Sequence, residues 1–529
     1  MRRNVRPAFS PRLTTIPKCA ELVTQKSKKL PGFRALTVDR SFLFGVIDIG
    51  SNSVRLVVFD LSGGYPLTVF NDRVFCALGK GVGETGNLSR EGCATALSTI
   101  RRYVGLAEAL GVGQLELVAT AALRDARNGA AFAEEIRAQT GCKVDVISGD
   151  DEARLAARGV AYASPGADGL VGDLGNGSLE LVELAKGEIG ARLSLPIGSL
   201  RIMSQFGGDL RQARAEAMRQ LGTVGWLERI QGRTFYPVGG SWRMLCRIHM
   251  AQNNAPLHII HAYAIAAAKA SDFSAMLAQL SARSLAGIPA VQSRRIDAVP
   301  IASTILGAVI SLAKPKNVVF SAAGVREGVV VDRVAQGRLA PDPLIAAAAA
   351  MGRRLNRWGD VGEVFFDWMN PLYPRAREER ERLRYVSALL SDIGWREHPD
   401  YRARQTMLQV LRLPFMAIDH PSRAALAWAL YTRYGGKADN PDAETVIGMM
   451  SNRALKRAEV VGRALRLAHR LSGSSPALLS KTRLSLADNI LDLHMPADEI
   501  YCPEERLAGP LKSLASAAGY TPGRILRHG

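Results

Sequence analysis

A chain of 529 residues, 47% hydrophobic and 22% charged, has the length for several domains and the composition of a soluble globular protein. No apolar stretch approaches the ~20 residues of a membrane-spanning helix, and the six cysteines show no CxxC pair or metal-ligand spacing, so they read as reduced thiols of a cytoplasmic protein. A net charge of +19 implies attraction to polyanions, but 6% aromatics with no run interleaved among basic residues argues against a base-stacking nucleic-acid surface.

Residues 1–40 hold ten Lys/Arg and two acids, and residues 1–41 read as a basic disordered tail or as the product of a misassigned upstream start, without the features of a secretory signal. The first strong pattern is a strand at Phe42–Ile47, a polar turn, and a strand at Val54–Phe59. In that turn Gly50, Ser51, Asn52 and Ser53 can offer N–H groups and hydroxyls to phosphate oxygens while Asp48 holds a metal ion or its water; a plain hairpin turn has the same composition. Leu67–Cys76 reads as a strand, and the glycine-rich stretch after it lacks the G-K-[ST] ending of a Walker loop. A helix from Ser89 to Leu110 and a strand from Leu115 to Thr120 lead to Arg124, placed to present a guanidinium fork to phosphate or simply to the surface.

A strand at Lys143–Ile147 runs into a helix opening with Asp150, Asp151 and Glu152, acids that complement a helix dipole. Gly169–Glu183 then repeats the first design: strand, Asp173, the turn Gly175-Asn176-Gly177-Ser178, strand. A strand pair (Val182–Leu195), a helix (Leu210–Arg229), a strand ending in Gly239-Gly240-Ser241, helices over 256–313 and a strand at Lys316–Phe320 follow. Gly324 and Arg326 lie in the next turn, where helix packing explains Gly324 equally well. Beyond Pro341-Asp342-Pro343 the pattern is helical to Arg470. Arg453, Lys456, Arg463, Arg466 and Arg470 share one side of a helix, either as a solvated face or as a polyanion groove. In 471–529 a strand pair turns at Asp488-Asn489, and a short helix carries Pro510 in its first turn.

Two strand–Asp–glycine-turn–strand units in one chain resemble the actin/Hsp70/sugar-kinase superfamily. The wording of the motifs resembles the exopolyphosphatase and guanosine-pentaphosphate phosphohydrolase family. That resemblance implies an α/β fold of two actin-like, ribonuclease H-like domains (42–167 and 168–340), an appended helical HD-like domain (341–470) and a small C-terminal unit (471–529). Ser391 stands where an HD site has histidine, so the helical domain reads as catalytically silent.

The resemblance further implies hydrolysis of terminal phosphoanhydride bonds with Mg2+ held by Asp48 and Asp173 and assisted by Glu180. Arg124 would steady the transferred group, Glu152 would activate water, and Asp151 would assist electrostatically. The substrate would be inorganic polyphosphate or, alternatively, the 5′-γ-phosphate of guanosine pentaphosphate, and the protein a homodimer. Asn176 and Leu179 depart from the family's Gly-Gly-Gly-Ser-Thr wording. A small-molecule kinase and a non-enzymatic polyanion or alarmone sensor are the other classes that these motifs allow.

Overall fold

The computed structural model describes residues 42–288, 290–291, 296–374 and 378–528; the tail expected at 1–41 lies outside them. Strands β1 (Leu43–Ile49), β2 (Ser53–Asp60), β3 (Leu67–Phe75), β4 (Gln114–Ala119) and β5 (Val144–Val146) form one sheet in the order β3-β2-β1-β4-β5. β1 is antiparallel to β2 and parallel to β4, so it lies buried at the centre, as its apolar run requires.

The second sheet repeats this plan. Strands β6 (Gly169–Leu174), β7 (Leu179–Ala185), β8 (Glu188–Leu195), β9 (Thr234–Val238), β10 (Tyr263–Ala266) and β11 (Asn317–Phe320) run in the order β10-β11-β9-β6-β7-β8. β10 lies inside a segment whose sequence reads as wholly helical. Its four residues add an antiparallel edge to β11, a pairing partner that local periodicity does not reveal.

Two helices exchange partners between the sheets. The helix Gly149–Ala163 leaves the first sheet and buries Ala153, Ala157 and Val160 against Val171, Val182 and Val238 of the second. The helix Val325–Arg333 leaves the second and buries Val329 and Val330 against Phe44, Val46, Val57 and Phe59 of the first. They cross at glycines: a Cβ on Gly328 would lie 1.8 Å from the Leu155 carbonyl oxygen, and one on Gly159 2.1 Å from that of Gly324. Because such contact is with backbone, which cannot swing aside, Gly328→Ala is expected to cost at least ~1–3 kcal/mol. Thermal unfolding reads this directly, and an unchanged midpoint would mean that the helices do not cross this closely.

The region beyond Asp342 is helical to Leu479 and ends in a three-stranded sheet, β12 (Arg483–Ala487), β13 (Ile490–Pro496) and β14 (Thr521–His528), in that order. Asp488 and Asn489 turn the β12–β13 hairpin with φ of 49° and 64°, the left-handed pair a tight hairpin needs. β14, absent from the sequence reading, runs parallel to β13. Pro510 does not open its helix, which spans Glu504–Ala518. The Arg506 carbonyl, four residues before the missing N–H, accepts instead from Arg470 Nη1 at 3.5 Å. Leu484, Leu491, Leu493 and Leu511 share one apolar core with Leu426 and Leu465, so the three-stranded sheet and its helix pack against the helical region.

The Ser391 hydroxyl meets His469 Nε2 at 3.0 Å, and the buried Asp392 pairs with Arg357 (3.4 Å) and Arg433 (3.2 Å). Among the described residues no helix is long and apolar enough to cross a membrane.

Candidate active site

The two glycine turns fold alike. Gly50 N–H donates to the Ser53 carbonyl at 3.1 Å, and Gly175 N–H to the Ser178 carbonyl at 3.0 Å. Strand register then sets the chemistry of each half. In the first sheet Asp48 lies opposite Arg55, and Arg55 opposite Arg73. In the second, Asp173 lies opposite Glu180, and Glu180 opposite Ser194, whose hydroxyl donates to Glu180 Oε1 at 2.8 Å. Residues paired across adjacent strands project from the same face. Equivalent rows thus read Asp-Arg-Arg on one side and Asp-Glu-Ser on the other, one suited to phosphate oxygens and the other to a cation or water.

Between the rows lies a cleft of about 180 Å³, lined by Asp48, Ser53, Arg55, Arg73, Thr120, Glu152, Asp173, Gly175, Asn176, Ser241, Arg243 and Arg326 among others. Arg326 Nη1 donates to Asp48 Oδ2 at 3.0 Å, tying the second helix of the crossing pair to the first sheet. Arg243 Nε donates to the Ser321 carbonyl at 3.2 Å. Gly239 makes the approach of β9 to β6 possible: at φ 98° it stands where a Cβ would lie 2.4 Å from the Leu174 carbonyl.

Burial and crowding by like charge set the acid–base character. Burial pushes the Glu152 carboxyl up to about 7, with Asp173 and Asp48 adding to the rise and Arg124 opposing it. Burial also lifts Asp173 to about 6 against the pull of Arg243 and Arg326. Glu180 is raised well above the usual carboxylate range by burial and then by Glu152 and Asp173. Burial, followed by Arg326 and Arg73, lowers Arg55 to about 10.

Not every expected residue reaches the cleft. Arg124 is outside the cleft lining, and its Nη1 donates to Glu152 Oε2 at 2.9 Å and to the Ile147 carbonyl at 3.2 Å. Asp151 points to solvent. Its carboxylate accepts from the Ser148 hydroxyl at 2.7 Å and pairs with Arg154 at 3.5 Å, because neighbouring residues of a helix diverge by about 100°. Ser53, Gly175 and Asn176 line the cleft, whereas Gly50, Ser51, Asn52, Gly177 and the buried Ser178 are outside its lining. The Ser51 carbonyl accepts from Gly79 N–H (2.7 Å), and that of Asn52 from Cys76 N–H (3.0 Å). Asn176 is accommodated at the edge, its Oδ1 accepting from the Ser199 hydroxyl at 3.4 Å, and Leu179 is buried in the apolar core.

Arg55, Arg73, Thr120 and Arg243 are cleft residues that the sequence motifs do not point to, whereas the turn ending in Ser241 does reach the cleft. One signal was available: Arg55 interrupts the apolar run Val54-Arg55-Leu56-Val57 two residues after Ser53, which places both on one face of β2.

The residues fit a magnesium-type cation. Among the described residues no three His, Cys, Asp or Glu converge into a self-sufficient ligand set. Mg2+, however, keeps several waters and takes one or two carboxylates together with substrate phosphate oxygens. Asp48 and Asp173 end facing strands on the cleft, and behind them Glu180 Oε2 is buried without a hydrogen-bond partner.

Residues 57–336, more than half of the chain, match the model of the Ppx/GppA phosphatase family, and residues 374–524 match a family described as exopolyphosphatase, C-terminal. Exopolyphosphatase 1 of Mycobacterium tuberculosis (strain ATCC 25618 / H37Rv) is 32% identical over 165 residues, which are 31% of this chain; the chain spans 48%, about half, of the length of that relative. An exopolyphosphatase structure from Cytophaga hutchinsonii shares the fold, with a TM-score of 0.51 at 24% identity over 55% of this chain and 96% of that one. A Ppx/GppA family member from Aquifex aeolicus is 24% identical over 55% of this chain and 97% of its own, with a TM-score of 0.48. Apart from β1 and the start of β2, with Asp48, Ser53 and Arg55, the twin sheets lie within residues 57–336, the match by which this chain belongs to the Ppx/GppA phosphatase family.

Proposed function

We propose that the chain is a metal-dependent exopolyphosphatase that removes terminal orthophosphate from inorganic polyphosphate. The observation that carries this reading is Glu152: a buried carboxylate raised to about 7, fixed by Arg124, on a cleft that also holds Arg55, Arg73, Arg243 and Arg326. Phosphoryl transfer needs an in-line nucleophile and neutralised oxygens more than covalent chemistry from the protein. The four guanidiniums bind and orient the terminal phosphates. Glu152 orients a water molecule and accepts its proton as the water oxygen bonds to phosphorus and the bridging P–O bond breaks. Asp48 and Asp173, with Glu180 behind them, would hold Mg2+, which when bound offsets charge on the phosphoryl oxygens.

The test is orthophosphate release from long polyphosphate, guanosine pentaphosphate and ATP in parallel, with and without Mg2+. Mg2+-dependent release that is fastest from polyphosphate supports the reading. Faster release from guanosine pentaphosphate would transfer it to that alternative substrate, and transfer only to an added acceptor would make the protein a kinase.

The basic face of the helix Asn452–Ser472 is proposed as a track for the distal chain. Arg453, Lys456, Arg466 and Arg470 are exposed on it, while Arg463 is tied to the Ser513 hydroxyl. The double variant Lys456→Glu/Arg466→Glu is expected to weaken binding of long polyphosphate and flatten its salt dependence, with short substrates unaffected. Equal salt slopes for the variant and the parent would reduce this face to a solvated surface.

A further inference from the structure

A second cavity, of about 700 Å³, opens in the helical region among the helices Glu378–Leu389, His420–Arg433 and Asn452–Ser472, on different elements from the cleft between the sheets. That volume lies within the usual range for a small-molecule site. Its walls are mostly aliphatic, Leu426 and Val461 among them, and its charged lining among the described residues consists of Arg380, Arg384, Arg453 and Arg457, with no Asp or Glu.

Arg384 is the unusual member. It is 4% exposed, and its Nε and Nη1 make no hydrogen bond. Its Nη2 donates to the neutral Asn370 Oδ1 at 2.9 Å and forms a longer ion pair, at 3.7 Å, with the more exposed Glu381. The guanidinium carbon instead lies 4.1 Å from the Phe366 ring centre and 4.5 Å from that of Tyr373. Ring faces stabilise a cation only modestly, whereas burying an incompletely paired charge is costly. Tyr373 also lines the cavity, and its hydroxyl is buried without a partner.

A buried, incompletely paired arginine with more exposed ones around it, beside an aliphatic surface, has a definite complement. We propose that this cavity binds a small amphiphilic anion, with a carboxylate or phosphate head held by the field of Arg384 and the arginines at the mouth and an aliphatic body against Leu426 and Val461. Aliphatic walls of this kind offer few polar groups to the edge of a nucleobase, so an alkyl body fits better than a nucleoside.

The probes are octanoate, octyl phosphate, 1-octanol and inorganic phosphate, titrated calorimetrically into the full chain. Both alkyl anions are expected to bind at least tenfold more tightly than octanol or phosphate alone, and the tighter of the two identifies the head group. Arg384→Leu is expected to weaken the better anion at least tenfold. Since that variant removes a buried side chain, Ala425→Phe, which fills the cavity from a partly buried lining position, and Arg453→Glu, at an exposed one, are measured beside it with their thermal midpoints. Both are expected to weaken anion binding while remaining folded. Octanol binding as tightly as octanoate, no binding at millimolar concentration, or undiminished binding to a folded Ala425→Phe variant would each overturn the proposal. So would loss of anion binding with rising protein concentration, which would give the cavity to a second copy of the chain.

Discussion

Glu152→Gln is expected to lower kcat by about 10²–10⁴-fold with little change in substrate affinity, the usual worth of general-base assistance. Glutamine keeps the size of the side chain and can still accept from Arg124 Nη1, now 2.9 Å from the carboxylate, but it cannot take a proton from water. The pH profile provides a second reading. With Glu152 raised to about 7 chiefly by burial, the fraction able to act as base falls as pH drops through that value, so the parent enzyme should lose rate on the acid side. Any bound cation or phosphate-free arginine nearby shifts that limb to lower pH. The Gln variant should lack it, and Arg124→Met, which removes the group opposing the rise, should move it to higher pH. Folding stability runs in the opposite sense for this group. A carboxyl raised from 4.5 to about 7 favours the folded state most below 4.5, and that contribution is lost as pH rises through 7. Near-native turnover by a folded Glu152→Gln enzyme would remove the residue from the reaction and leave it as a complement to its helix dipole.

Asp173→Asn is expected to abolish Mg2+-dependent turnover by about 10²–10⁴-fold, the rate equivalent of several kcal/mol of lost charge stabilisation. The isosteric amide preserves shape and removes the charge that Arg243 and Arg326 now face. Asp48→Asn should act in the same direction, with an added loss because Arg326 Nη1 donates to its carboxylate at 3.0 Å. Calorimetric titration of Mg2+ in the presence of a slowly cleaved phosphate analogue separates the two ways of failing. Loss of the metal isotherm with retained thermal midpoint supports the ligand role. An unchanged isotherm with lost activity would make Asp173 a partner of the arginines only.

The second glycine turn shows how much local sequence specifies. Asp173 followed by Gly175-Asn176-Gly177-Ser178 repeats Asp48 followed by Gly50-Ser51-Asn52-Ser53, and both stretches fold into the same Gly N–H to Ser carbonyl turn because short-range backbone geometry determines them. Strand positions β1 to β9, the helix starting after Ser148 and the Asp488-Asn489 hairpin were legible for the same reason: apolar periodicity, a capping serine and turn residues act within a few positions. The turn pattern and its repeat point to Asp48 and Asp173, the family wording adds Glu152, and all three reach the cleft.

What local signals could not supply were the partnerships between distant segments. Arg73 and Arg243 are ordinary surface-type residues in sequence and become cleft residues only through the β2–β3 register and the close approach of β9 to β6. Arg124 and Asp151 matched their motifs, but Arg124 Nη1 donates to Glu152, 28 residues later, and the Asp151 side chain is turned from the cleft by the rotation of its helix. β10 and β14 exist because β11 and β13 offer open edges, and Pro510 is tolerated because Arg470 reaches the carbonyl that proline leaves free. The repeated glycine turns and the acids beside them are specified by local sequence, since they are written within a few residues. Tertiary structure alone decided which arginines face those acids, because charge pairing and strand register join residues that the chain keeps far apart.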